Sequence, residues 1–192
     1  IDADTSAFSL LNTEGKGFSF KTENVNSHVD FDNRIGEFKA NGDNEIIEFP
    51  ENQYVCFMEE FKWFMDEDNL ELTSAERSDA TIESDLDIDE PNFFSVHPDQ
   101  DSLAFRSGKA RYDLKSKEIK CEEVEYITVA DARISPSDGK VLVKKKAVLE
   151  TLKDASILAN YITKYHQMYK ATVNIYSRLS YVGTGYYKYI DE

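Results

Sequence analysis

Apolar and polar residues alternate along most of this chain, and that spacing places every second side chain on one face of a strand. Phe18 and Phe20 alternate in GKGFSFKTENV, and Val29 and Phe31 alternate in HVDFDNRIGEF. The segment NGDNEIIEF opens on Asn-Gly, a strong hairpin signal, and Pro50 closes it. The pattern predicts successive strands joined by tight turns.

Three segments repeat one plan, in which a large apolar residue and an Asp are followed by polar residues and then by apolar-x-apolar. They are FDNRIGEF (31–38), MDEDNLEL (65–72) and YDLKSKEIKC (112–121). Asp suits the start of a turn because its carboxylate accepts hydrogen bonds from backbone N–H groups just downstream. We therefore expect Asp32, Asp66 and Asp113 to mark hairpin corners. The acidic run 66–68 is then a corner rather than a metal or catalytic site.

Residues 147–170 fit two kinds of structure. Their apolar positions follow helical spacing, but their Ile, Thr and Tyr content favours strands, and no clear N-cap precedes them. The fold class that we predict is mostly β, with repeated hairpins forming a roll, a sandwich or a short solenoid. Strands are favoured over one helix within 147–170, and the helix is kept as the alternative.

The domain organisation is predicted from a break in this pattern at residues 73–92, which are acidic and poor in large apolar groups. We interpret them as an acidic loop or linker between an N-terminal β-hairpin half, 1–72, and a C-terminal β half, 93–192. One continuous domain is the alternative. The chain begins at Ile rather than Met, which we interpret as a processed or truncated piece of a longer protein.

Charge narrows the classes of partner. The net charge of the 192 residues is −15, and residues 59–101 alone hold fifteen acids and two bases. A surface this acidic repels the phosphates of nucleic acids, so we exclude DNA and RNA as partners. No apolar run reaches transmembrane length. A cationic partner or Ca²⁺ is compatible with the charge.

Candidate metal ligands lie in DLDIDE, where Asp85, Asp87 and Asp89 would share one face of an extended segment. Calcium takes six to eight oxygen ligands, and closely spaced Asp residues supply several of them. No EF-hand frame fits these residues, so a solvated acidic loop is favoured over a Ca²⁺ site. No other cofactor is predicted.

The two cysteines, Cys56 and Cys121, lie in apolar strand-like stretches without a CxxC or Cys/His cluster. A structural zinc site needs about four ligands, so the sequence predicts none. Two buried free thiols are favoured, with a disulfide between Cys56 and Cys121 as the alternative. The sequence also contains no GxSxG, P-loop or HExxH motif. We therefore predict that the chain is not an enzyme.

Tyrosine is concentrated near the C-terminus, where eight of the eleven tyrosines fall between residues 161 and 189. On a strand, Tyr181, Tyr187 and Tyr189 would share one face and Tyr186 would lie on the other. An exposed tyrosine row suits contact with sugar or protein. Cross-strand packing in the core is the alternative. If the chain binds a ligand, we expect these three tyrosines to contact it.

Two resemblances bear on function. FPENQYVCFMEEFKWFMD (49–66), VADARISPSDGKVLV (129–143) and TKYHQMYKATVNIYSRLSY (163–181) resemble an internal stretch of large uncharacterised secreted or envelope proteins of Bacteroidetes-type bacteria. FKTENVNSHVDFDNRIGEFKANG (20–42) is similar to the repeat of the lipopolysaccharide-transport (OstA-like) β-jelly-roll family. The second resemblance implies stacked V-shaped strand pairs that form a groove for lipid acyl chains. It also implies a periplasmic, outer-membrane-associated or extracellular location.

Three functions follow as expectations. The first is a non-catalytic structural or interaction module that contacts other segments of a larger parent chain or an envelope protein. The second is a lipid-carrying groove, and a filled core would be evidence against it. The third is a carbohydrate-binding or glycoside-hydrolase module.

Overall fold

The computed structural model describes residues 1–12, 15–42, 45–74, 90–162 and 166–187. These residues form seventeen strands and two short 3₁₀ turns, Pro98–Gln100 and Lys145–Ala147. The mostly β prediction is confirmed. The strands are β1 Asp2–Leu11, β2 Phe18–Asp30, β3 Ile35–Ala40, β4 Ile46–Phe49, β5 Tyr54–Phe57, β6 Glu60–Phe64, β7 Asn69–Thr73, β8 Phe93–Ser95, β9 Ala104–Phe105, β10 Lys109–Asp113, β11 Glu118–Glu122, β12 Ile127–Val129, β13 Ala132–Ser135, β14 Val141–Val143, β15 Leu152–Ala159, β16 His166–Ser177 and β17 Ser180–Tyr187.

All strand pairings are antiparallel, and they connect every strand into one sheet that divides at β2. The C-terminal part of β2 pairs with β3, and pairing continues through β6, β7, β10 and β11 to β14. We call these strands the first layer. The N-terminal part of β2 pairs with β4, and pairing continues through β5, β8, β9 and β12 to β13. We call these strands the second layer.

The chain visits the two layers in turn. Hairpins β2–β3, β6–β7 and β10–β11 lie in the first layer, and hairpins β4–β5, β8–β9 and β12–β13 lie in the second. The connections between layers therefore gather on one side, which we call the corner side. The hairpin turns gather on the opposite side, which we call the open side. The result is a roll of alternating hairpins, which is one of the three arrangements that the sequence predicted.

Three long strands bend where they pass between the layers. The core-facing side chains of β2 are Phe20 and Thr22 before the bend and Val25 and Ser27 after it, so one residue is inserted at the bend. Asn24 lies at this step with φ 56°, and Asp154 in β15 and Lys170 in β16 adopt the same left-handed backbone. A residue with left-handed backbone is one way to insert an extra residue into a strand and bend it.

The described part of residues 147–170 contains β15 and the first five residues of β16, and no α-helix. The alternative of a helix within this range is therefore wrong for those residues. Leu152 and Ala155 are both buried three positions apart, which imitates helical spacing. The extra residue at the Asp154 bend produces that spacing within a strand.

Four hairpin turns share one geometry, at residues 31–34, 50–53, 65–68 and 114–117. Each ends on a residue with positive φ. Asp113 caps its turn as predicted, because its Oδ1 accepts from the backbone N–H groups of Lys115 and Ser116 at 2.8 Å. Asp30 does the same for the turn at residues 31–34, because its Oδ1 accepts from the backbone N–H groups of Asp32 and Asn33 at 3.0 Å. In both hairpins the capping Asp is the residue immediately before the turn.

Two of the predicted corner aspartates therefore have other roles. Asp32 lies inside its turn, where its N–H donates to Asp30, and Asp66 lies inside the next turn, paired with Arg34. The sequence plan located the turns correctly. It assigned the capping carboxylate to the wrong residue because an Asp inside a turn and an Asp before it look alike without the register.

A single hydrophobic core lies between the layers and contains residues from both predicted halves of the chain. Rings from opposite layers touch: the centroids of Phe20 and Phe61 are 5.1 Å apart, and those of Phe49 and Tyr112 are 5.0 Å apart. Strands on either side of 75–89 also pair directly, as β5 with β8 and β7 with β10. The largest side chains under 2% exposed are Tyr54, Tyr112, Phe20, Phe49, Phe61, Phe93, Phe105, Ile47, Leu70, Leu72, Leu103 and Ile119.

Candidate functional site

The predicted tyrosine contacts occupy the last strand pair, β16–β17. Tyr181 packs against the core and is only partly exposed, and this burial raises the pKa of its phenol. Tyr187 is 52% exposed. Tyr189 lies outside the described residues. The structure thus brings Tyr181 to the core and leaves Tyr187 free to contact a partner.

Other tyrosines on this strand pair are more accessible than those predicted. Tyr186 is 73% exposed and lies directly opposite Tyr169, which is 39% exposed, while Tyr176 is 55% exposed. The sequence did not identify this group because the bend at Lys170 changes which residues of β16 face outward. The Tyr169–Tyr186 pair is an amphipathic aromatic surface of the kind that binds protein or sugar.

The predicted calcium ligands Asp85, Asp87 and Asp89 lie outside the described residues. Within the described ranges, no group of three or more His, Cys, Asp or Glu side chains is arranged to hold a metal ion. The acidic loop 73–92 is described only at its two ends.

The acidic run 66–68 forms the turn between β6 and β7, and each of its carboxylates pairs with a cation on a neighbouring first-layer hairpin. Asp66 pairs with Arg34 at 2.6 Å. Glu67 pairs with Arg111 at 3.1 Å, and Asp68 pairs with Lys115 at 2.8 Å. Exposed ion pairs each contribute little, about 0–1 kcal/mol. The run is a hairpin corner, as predicted. Its charges connect it to the adjacent turns of the first layer.

Both cysteines are buried free thiols, in agreement with the favoured prediction. Cys56 is on β5 of the second layer, and Cys121 is on β11 of the first. Burial raises the pKa of both thiols, and Cys121 raises that of Cys56 further. A thiol held protonated and inaccessible is a poor nucleophile.

A group of buried polar side chains crosses between the layers on the open side. Lys117 ends the β10–β11 turn with φ 59° and is 3% exposed, and its Nζ donates to Ser19 Oγ of β2 at 2.8 Å. Asn52, in the β4–β5 turn, donates from Nδ2 to the carbonyl of Lys117 at 2.8 Å and to that of Val143 at 3.2 Å. These bonds join second-layer residues to the first layer.

Gln100 extends this group, because its Nε2 donates to the carbonyl of Ala147 at 2.6 Å. We call Ser19, Asn52, Gln100 and Lys117 the clasp. Burial lowers the pKa of Lys117, and the neighbouring Glu51 carboxylate acts in the opposite direction. The sequence carries no signal for the clasp, since Ser19 and Lys117 are 98 positions apart.

The clasp lies where a groove between two layers would open. Behind it the interior holds aromatic side chains such as Phe49 and Tyr112, which are fully buried. A groove of about 870 Å³ does exist, but on the outer surface beside β11 and β14. Its Lys140 and Lys144 already pair with Glu122 and Glu150. The lining of this outer groove mixes polar and apolar side chains, and its positive and negative charges balance.

The two ends of the strand stack expose backbone edges. Among the described residues, β1 pairs with β2 alone and β17 pairs with β16 alone. No described helix is long and apolar enough to cross a membrane. Comparisons with protein-family models, with curated proteins and with solved structures give no match.

Proposed function

We propose that this chain is a non-catalytic structural or interaction module of a large bacterial cell-envelope or secreted protein. The observation that carries the proposal is the filled interior between two hydrogen-bonded layers, closed by the clasp on the open side. A roll of this kind offers its outer surfaces and strand edges to a partner rather than an internal site. Its partners are other segments of the parent chain or an envelope protein, and its location is periplasmic, outer-membrane-associated or extracellular.

The lipid-carrying groove is less well supported by the same observation. A trough for acyl chains needs apolar space between the layers, but rings from the two layers approach to centroid distances of 5.0 and 5.1 Å there. The buried ammonium of Lys117 and the amide of Asn52 span the mouth of any such trough. Polar groups in that position raise the cost of placing hydrocarbon beside them.

The carbohydrate-binding alternative has one observation in its favour, the exposed Tyr169–Tyr186 pair on β16–β17. Exposed tyrosines at paired positions of neighbouring strands suit contact with a sugar, because tyrosine is amphipathic. Binding of a glycan on an array, abolished by Tyr186→Ala and retained by Phe31→Ala, would favour this alternative. Phe31 is the control because it is 55% exposed in a distant turn.

Two measurements test the module proposal. Native mass spectrometry of the purified chain is expected to give the mass of protein alone, whereas stoichiometric lipid would overturn the proposal in favour of the groove. In cells, lysine-reactive cross-linking is expected to join exposed residues such as Lys16 and Lys153 to other segments of the parent chain or to an envelope protein. An absence of such cross-links, with the chain present in the envelope fraction, would contradict it.

A further inference from the structure

The two free edges of the stack differ in charge. The β1 edge carries Asp2 and Asp4, and its pairing with β2 has three breaks in register, compared with two in the pairing of β17 with β16. Charges and irregularities of this kind protect an edge strand from pairing with another chain. The sequence of β17, SYVGTGYY, contains no charged residue. Val182 and Tyr186 are more than half exposed on it. The β17 edge is therefore the unprotected one.

Strand direction decides which partner strand fits this edge best. The path β1–β2–β4–β5–β8–β9–β12–β13–β15–β16–β17 crosses ten pairings, all of them antiparallel. An even number of reversals makes β17 run in the same direction as β1. If copies stacked end to end, β17 of one copy would therefore pair with β1 of the next in parallel, which is the less stable pairing. Such stacking would also continue from copy to copy without closing.

A two-fold axis gives the opposite result. Two β17 strands related by a two-fold axis are necessarily antiparallel, and the contact closes at two copies. The bend of the strand pair lies beside Lys170, between the registered pairs Thr172–Thr184 and Tyr169–Tyr186, so β17 bends near Gly185. Aligning the two bends places Gly185 of both copies near the axis. Thr184 of each copy then faces Tyr186 of the other.

Charge also favours contact at this edge. The chain carries a net charge of −15, so most surfaces of two copies repel each other. An uncharged strand is the place where two acidic molecules approach at least cost. We infer that two copies of this chain associate through antiparallel pairing of their β17 strands about a two-fold axis near Gly185. The inference rests on the proposed function, because it assigns one partner to an interaction module.

Sedimentation velocity over a wide range of concentration tests this inference with matched variants. Thr184→Lys puts a charge on β17, and Thr172→Lys puts the same charge on the same exposed face one strand inward, directly opposite. Ala7→Lys puts it on the exposed face of β1. We expect a monomer–dimer equilibrium that Thr184→Lys weakens about a hundredfold or more. The two controls are expected to leave it unchanged.

Three results would overturn the inference. They are a monomer at every concentration, oligomers that keep growing with concentration, and a dimer that Thr172→Lys or Ala7→Lys disrupts as strongly as Thr184→Lys. Val182→Lys, on the same edge, repeats the test if Thr184→Lys does not fold. A monomer free of lipid that cross-links to its parent chain in cells would overturn the dimer and leave the proposed module intact. Bound lipid would overturn the module itself.

Discussion

The corner side and the open side of the roll are both closed by buried side-chain hydrogen bonds, but these bonds join residues at different distances along the chain. On the corner side, Asn92 Nδ2 donates to the carbonyl of Ser107 at 2.8 Å, and Asn92 Oδ1 accepts from the Ser107 N–H at 2.9 Å, only 15 positions away. On the open side, the clasp joins residues 47 to 98 positions apart and buries the side chain of Lys117. A buried side-chain bond depends on one residue, and its loss leaves a buried polar group without a partner. Substitutions in the clasp should therefore loosen contacts between distant parts of the chain.

The largest effect is expected in the core that both sides enclose. Phe49→Ala removes a fully buried ring that touches Tyr112 across the layers, and it should lower the free energy of unfolding by about 3–5 kcal/mol. Phe31→Ala, in an exposed turn, is the control and should cost little. Urea unfolding measures both. Equal losses would mean that the ring does not bridge the layers.

The clasp should come next. Asn52→Ala leaves the buried carbonyls of Lys117 and Val143 without their side-chain donor, and it should cost about 2–4 kcal/mol. Asn33→Ala removes an exposed amide that donates to Asp30 and should cost less than about 1 kcal/mol. If the two variants unfold at the same denaturant midpoint, the clasp has no structural role.

A smaller effect is expected on the corner side. Lys170 has φ 47°, which Asn tolerates and β-branched residues do not. Lys170→Val should therefore be about 1–2 kcal/mol less stable than Lys170→Asn in thermal or urea unfolding. Indistinguishable variants would show that the bend does not need a left-handed residue.

The smallest effect concerns the charge of Lys117. The pKa of Lys117 is lowered in the folded state from its ordinary value of 10.5. At pH values between the folded and the unfolded pKa, the unfolded chain binds more protons than the folded chain. The free energy of unfolding therefore rises with pH in this window. The stability of the wild type relative to Lys117→Met should increase as pH rises through this window. The exposed Lys115→Met variant is the control and should show no such increase. A pH-independent difference would contradict the burial of the ammonium.

The sequence predicted the strands and turns because alternation and turn residues are local signals. It placed FDNRIGEF, MDEDNLEL and YDLKSKEIKC at hairpin turns correctly. The helix alternative arose because the bend at Asp154 disturbs the alternation. The clasp was beyond prediction, since Asn52 and Val143 are 91 positions apart and meet only when both layers have formed. The exposed tyrosines depended in the same way on the register of β16 and β17.

The most direct test of a filled and closed roll is the reactivity of three lysines in one hairpin. Lys115 and Lys120 are exposed, whereas Lys117, which belongs to the clasp, is 3% exposed. Acetylation of the native chain, followed by peptide mass spectrometry, should modify Lys115 and Lys120 and leave Lys117 unmodified until the chain is denatured. Modification of Lys117 at the rate of its two neighbours would mean that the open side is not closed, and the account would be wrong.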